Sequence, residues 1–260
     1  MTAISWLYRR SCGFVLAADS RAYARAERPE EHGQEPPDTY DNTKIFKTKF
    51  KTRDIAYAFT GTVFNADRSF DLLAKTSTIL HGLSASRSFH EYIEGYAEAA
   101  KELFDTAKRD GRIKIYAENE NVPEGPDRNI VARIFFAGYF RKAKPSFAIV
   151  TLLHENQMLN EPLFVFESPP QTDYLAGAGE IARLFFEGEN HWVNSYGKRA
   201  NPNSSLAELV SMGKGFIQAC RDARAVAIDP SCRGIGGDIH VAHISIERGF
   251  EWIEPPQKSP

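Results

Sequence analysis

The chain has 260 residues, with 32 basic against 34 acidic side chains and a formal net charge of -2. So balanced a charge lacks the electrostatic footprint of a nucleic-acid binder or of a protein held on an anionic membrane, and neither partner is expected. Hydrophobic residues at 42% and aromatics at 12% supply a sizeable core and exclude wholesale disorder.

In chain order, Thr2 to Tyr8 alternates, with Ile4, Trp6 and Tyr8 on one side and Ala3, Ser5 and Leu7 on the other. Phe14 to Ser20 is a second extended run, and the Arg-Arg-Ser-Cys-Gly between them reads as a hairpin. Arg9 and Arg10 follow the first apolar segment and Asp19 interrupts the second, so this start reads as fold and not as a signal peptide. Tyr23 to Asn42 is charged and Pro-rich, a long surface excursion. Lys44 to Lys47 and Ile55 to Thr62 are the next strand signals. Helical spacing then appears in Phe70, Leu73, Ser77 and Leu80, and again in Phe89, Ile93, Tyr96, Ala100 and Leu103.

Arg112 to Asp127 is a second polar loop. Strands return at Val131 to Phe140, Phe147 to Leu153 and Leu163 to Glu167. Helical patterns cover Ile181 to Phe186 and Leu206 to Ala225, and Ile239 to Ile246, with Phe250 to Ile253, closes the series. Strands, two helices, strands, two helices, strands is the order of an α+β fold. Two sheets facing each other with helix pairs on the outside would bury all of these faces in one domain. The expectation is a single domain over residues 1–260, lengthened by polar insertions at about 23–42 and 112–127.

Three cysteines (Cys12, Cys220, Cys232) without a C-x-x-C spacing fit a reducing cytoplasm rather than a disulfide framework. No uncharged apolar run approaches the ~18 residues of a membrane span. His240 and His243 are an odd distance apart in a strand, which puts them on opposite faces and makes them poor co-ligands. No metal or cofactor is expected.

The sharpest chemical feature is Thr2 behind the initiator Met1. A residue as small as Thr permits removal of that Met, exposing a hydroxyl and a free α-amino group on one residue. An α-amino group titrates at about 7.7–8.0, so near neutrality it can take the proton of its own Oγ. Antiparallel pairing would bring Asp19 back past the start of the first strand. Lys44 precedes the apolar pair Ile45-Phe46, whereas Lys47, Lys49 and Lys51 alternate as a solvated face. A Lys beside the Thr hydroxyl lowers its pKa, an Asp holds that Lys in place, and the N–H of Gly61 can point at a developing oxyanion. Cys12 lies in the hairpin turn near the proposed amine and lacks an oriented His, so it reads as a free turn cysteine.

A strand opening at Thr, then Gly-Phe-Val-Leu-Ala-Ala-Asp-Ser-Arg, Lys-Ile-Phe, Ala-Phe-Thr-Gly, and late Ile-Gly-Gly-Asp-Ile-His-Val-Ala-His-Ile, resembles the proteasome β-subunit superfamily of N-terminal-nucleophile hydrolases. The resemblance implies that family's four-layer αββα sandwich, two antiparallel sheets between helix pairs, with which the strand–helix order agrees. It implies Thr2 as nucleophile, Asp19 and Lys44 as its charged partners and Gly61 as the oxyanion-hole amide. It also implies a peptide or unfolded-protein substrate, a homo-oligomer in a ring or an open helical array, and room for an ATPase partner. Phe59, on the same side of its strand as Gly61, would help floor the substrate pocket or serve as core. Where the family carries two supporting Ser residues, this chain has Ala178 and Ile235, with Asp229 and Ser231 in a shifted register. Those departures keep two alternatives open: a catalytically weak or inactive structural homologue, and an amidase acting on small amides.

Overall fold

Strands whose two faces are both apolar must be covered on both sides, and this governs the architecture. The computed structural model describes residues 2–23, 39–41, 43–61, 63–64, 68–112, 130–141, 144–153, 164–167, 171–188, 190–197 and 199–256. Strands β1 (Ile4–Arg9), β2 (Gly13–Asp19), β3 (Arg21–Tyr23), β4 (Thr39–Asp41), β5 (Ile45–Phe50) and β6 (Arg53–Gly61) come first. Helices α1 (Leu72–Gly82) and α2 (Phe89–Arg109) follow, then β7 (Ile130–Arg141), β8 (Lys144–Leu153), β9 (Phe164–Glu167) and β10 (Gln171–Ala176). Helices α3 (Gly179–Glu187), α4 (His191–Asn194), α5 (Leu206–Cys220) and α6 (Ala225–Ile228) lead through a 3-10 turn at Pro230–Gly234 to β11 (Ile239–Ser245) and β12 (Gly249–Glu254).

One antiparallel sheet has the order β10-β1-β2-β11-β12 and the other β5-β6-β7-β8-β9. Between them lies a shared core. Ile4, Trp6 and Leu16 from the first sheet meet Ala58, Phe135 and Phe147 from the second, with the Trp6 ring 6.0 Å from Phe135 and 5.8 Å from Phe147. The opposite face of the first sheet, with Leu7 and Val15, packs on Ile181, Phe185, Leu209 and Phe216 of α3 and α5. The outer face of the second, with Tyr57 and Phe136, packs on Tyr92, Tyr96 and Phe104 of α2. The result is the αββα sandwich that the resemblance implies and that the order of the patterns fits.

Helix α2 shows why the spacing was readable. Phe89, Tyr92, Ile93, Tyr96, Ala100 and Phe104 all turn inward, and Ser88 caps the start by accepting from the Glu91 amide at 3.1 Å. Helix α5 opens with a capping box of Ser205 and Glu208.

Four details differ from the sequence expectations. The helix read over Leu206 to Ala225 stops at Cys220, because Asp222 accepts from the Arg224 amide and turns the chain before α6. Strand β10 was missing from the expected series, although it is an edge of the first sheet. The base of the long excursion is a two-stranded ribbon, Arg21–Tyr23 against Thr39–Asp41, while its residues 24–38 and 42 lie outside the described residues. Of the second insertion, residues 113–127 lie outside them too.

Arg9 belongs to β1 and not to the hairpin turn. It is fully buried, pairing with Asp173 of β10 through bonds of 2.6 and 3.0 Å and donating to the carbonyls of Ala200 and Asn201. A buried pair is costly to break because one charge is left without its partner. Asp173→Ala should therefore cost about 3 kcal/mol of unfolding free energy. The double variant Arg9→Met/Asp173→Leu should lose less than the sum of the singles, as read from denaturant midpoints.

Candidate active site

Register delivers the first partner. Ile4 pairs with Ala18 across β1 and β2, which carries Ala3 opposite Asp19. The Ala3 amide donates to Asp19 Oδ1 at 2.8 Å, and the Asp19 amide returns a bond to the Ala3 carbonyl at 3.2 Å. Asp19 is fully buried, and Thr2, one residue before the bonded amide, is only 8% exposed.

Lys44 reaches the same carboxylate from the other sheet. It immediately precedes β5, is buried, and places Nζ 2.9 Å from Asp19 Oδ1. The solvent-facing lysines Lys47, Lys49 and Lys51 of the same stretch are exposed. The third donor is the Gly236 amide, 3.1 Å from Asp19 Oδ2. A desolvated carboxylate is tolerable only with such partners. The ammonium supplies the compensating charge, and the two amides fix the plane of the carboxylate.

Gly177 closes the site from the side of β10. Its φ is +106°, and a Cβ added there would lie 1.8 Å from the Thr2 carbonyl oxygen. Only glycine lets this backbone lie directly against Thr2. Gly61 has φ +87° and packs so closely on the Val131 carbonyl that a Cβ would come within 2.3 Å of it. Because Ile45 pairs with Ala58, Gly61 and Lys44 lie beyond that pair at the same end of the sheet. Asp19 and Lys44 are thus in direct contact, Thr2 is tied to that carboxylate through the Ala3 amide, and register puts Gly61 at the same end of the sheet as Lys44.

The two positions expected to lack supporting hydroxyls are filled with apolar packing. Ala178 is fully buried at the start of α3 and makes no side-chain cap, and Ile235 sits in the core beneath the first sheet. Asp229 caps α3 in place of residue 178, accepting from the Glu180 amide at 3.1 Å. Ser231 Oγ donates to the Gly177 carbonyl at 2.9 Å. The roles of Gly177 and Gly236 are not legible in the sequence. Backbone groups leave no side-chain signature, and unusual glycine density on both sides of the missing Ser positions was the one available signal.

Other candidates fall away from the site. Cys12 was expected near the amine, but the hairpin sets it at the far end of β1, and its Sγ faces the Ser204 carbonyl at 3.8 Å. Phe59 packs in the core under α1 and α2 against Phe46 and Tyr57, not in a pocket beside Thr2. His240 stands edge-on to Trp252, whereas His243 bonds the Cys12 carbonyl. Two surface hollows lie at Asn190, His191, Trp192, Ser195 and Arg224 and beside Lys214, Asp238 and Glu254. Neither is lined by Thr2, Asp19 or Lys44.

The αββα fold of this chain is shared with solved structures of Anbu. Among solved structures the chain is similar to a Gly-1 mutant of Anbu from Hyphomicrobium sp. strain MC1, with TM-score 0.54 and 13% identity over 97% of this chain and 87% of that one. It is similar also to Anbu, an ancestral beta-subunit, from Yersinia bercovieri, with TM-score 0.53 and 13% identity over 98% and 88%. A helical assembly of the Anbu complex from Pseudomonas aeruginosa matches with TM-score 0.53 and 12% identity over 100% and 88%. No protein-family model matches the chain, and no curated protein matches it. At these identities the likeness establishes a shared fold.

Gly177→Ala should push Thr2 out of register and cost about 1–3 kcal/mol or more. A thermal melt and hydrogen exchange of the N-terminal peptide would show it. Gly179→Ala is the matched control, since a Cβ there meets open space and the stability should not fall.

Proposed function

We propose that the chain is a threonine-type amidohydrolase that cleaves peptide bonds after Met1 is removed, with Thr2 as nucleophile and its α-amine as base. The observation that carries this reading is the buried Asp19–Lys44 pair bonded to the amide next to Thr2. Thr2 Oγ attacks the substrate carbonyl carbon while the α-amine takes the hydroxyl proton. The Lys44 charge lowers the hydroxyl pKa, Asp19 orients Lys44, and the Gly61 amide receives the oxyanion. Collapse expels the amine product, which leaves with the proton. Water then attacks the ester on Thr2, the α-amine again acting as base, and the carboxylic acid departs.

The reading includes a single domain that assembles with copies of itself in a ring or an open helical array. The helical assembly formed by the Anbu complex of Pseudomonas aeruginosa supports that geometry. A peptide or unfolded protein would be the substrate, with an ATPase partner able to feed it. The three free cysteines are in keeping with a cytoplasmic site. No helix among the described residues is long and apolar enough to cross a membrane.

A second reading, a structural subunit of low activity, is favoured by the apolar packing of Ala178 and Ile235. A third, an amidase for small amides, is separated by testing fluorogenic peptides against small acyl amides. N-terminal sequencing should return Thr2, and Thr2→Ala should lower peptide hydrolysis by about 10³-fold or more with the thermal midpoint unchanged. Retention of Met1, or full activity in Thr2→Ala, would sink the mechanism. Processed protein that takes up no Thr-directed electrophile would favour the structural subunit.

A further inference from the structure

The segment between α6 and β11 touches the neighbours of the Thr2 strand on both sides, Asp19 at the end of β2 and Gly177 after β10. At one end the Gly236 amide donates to Asp19 Oδ2 at 3.1 Å. At the other, the Ser231 hydroxyl shares its one proton between the Gly177 carbonyl at 2.9 Å and Asp229 Oδ1 at 2.5 Å. Asp229 is itself anchored twice, through its Oδ1 to the Ser231 amide at 3.0 Å and through its Oδ2 to the Glu180 amide at 3.1 Å.

We propose that Ser231, held by Asp229, is a positioning residue for Thr2 that acts through the Gly177 backbone. The proposal rests on the reading of Thr2 as nucleophile. Gly177 is in direct contact with Thr2. A methyl at Gly177 would fall 1.8 Å from the Thr2 oxygen and 2.9 Å from the Ala3 Cα, so no side chain fits between the two backbones. Any displacement of Gly177 is therefore passed to the Thr2–Ala3 peptide undamped. That peptide is clamped on its other side by the Ala3 amide bond to Asp19. Ser231 fixes the Gly177 side of the clamp, and Gly236 fixes the Asp19 side.

The sequence makes Ser231 the available hydroxyl. The residue after Gly177 is a fully buried Ala, and the residue before Gly236 is an Ile packed in the apolar core. Neither can bond the Gly177 carbonyl through a side chain. Asp229 raises the precision of the contact, because its two oxygens lock the 3-10 turn to the start of α3, whose first residues follow Gly177 directly. The nucleophile is thus aligned by backbone pressure rather than by a side chain on its amine.

The test is the rate at which a peptide epoxyketone, which bonds both hydroxyl and amine of an N-terminal Thr, modifies the intact protein, read by mass. Ser231→Ala should slow the saturating rate by about 10²-fold, with the half-saturating concentration unchanged, because misplacement by about 1 Å costs that much. Ser231→Thr, which keeps the hydroxyl, should restore most of the rate, and Asp229→Asn should fall between. Ser231→Ala within twofold of the unmodified protein, or Ser231→Thr as slow as Ser231→Ala, overturns the proposal. If the unmodified protein takes up no epoxyketone, the nucleophile reading fails instead. Hydrogen exchange then still reads the clamp. In Ser231→Ala, the peptides covering residues 2–8 and 171–179 should exchange roughly tenfold faster, while those of α2 do not change. Equal exchange in those peptides overturns the clamp as well.

Discussion

One desolvated carboxylate sets the order of this half of the molecule. Asp19 ends β2 with no exposure to solvent, and it accepts from an amide of the first strand, an ammonium of the other sheet and an amide of the segment before β11. Withholding any of them would leave charge in a low-dielectric interior at a cost of several kcal/mol. The burial of Lys44 follows, since its ammonium supplies the charge opposite that carboxylate at 2.9 Å. Sheet-to-sheet alignment at this end is therefore a matter of electrostatic satisfaction as much as of apolar packing.

Strand β1 is held at its two ends by the same kind of interaction. Asp19 with Lys44 secures its start, and Arg9 with Asp173 secures its finish. Between those points both faces are covered, one by the opposite sheet and one by α3 and α5. A strand so fixed cannot slide by a residue without exposing a charge and inverting its inward faces. That rigidity extends to Thr2, which has no secondary structure of its own to hold it.

Around Thr2 the precision comes from backbone contacts. Gly177 occupies a left-handed conformation where an added side chain would strike the Thr2 carbonyl. The apolar substitutions at Ala178 and Ile235 remove side-chain polarity from the same neighbourhood, and Asp229 and Ser231 supply hydrogen bonds from a neighbouring turn.

Periodicity made most elements legible. The alternation of Ile4, Trp6 and Tyr8 and the inward stripe of α2 each reflect a repeat set by backbone geometry. Lys44 stood out for the same reason, as the one lysine before an apolar pair rather than within an alternating exposed run. Strand β10 was not legible, because Gln-Thr-Asp-Tyr-Leu-Ala shows little alternation and its Asp173 is at home only beside Arg9. Cys12 was assigned to the right turn but the wrong end. A six-residue strand at about 3.3 Å per residue carries the turn about 20 Å from the chain start. Local pattern thus determined which segments are strands or helices, which faces turn inward and which titratable residues differ from their neighbours. Only the tertiary structure decided that Gly236, Gly177 and Ser231 converge on Thr2 and Asp19, since those contacts join residues far apart in sequence through backbone atoms that every amino acid shares. The balanced charge of the whole chain says nothing of this: the two charges that matter most are a single pair, buried out of reach of water.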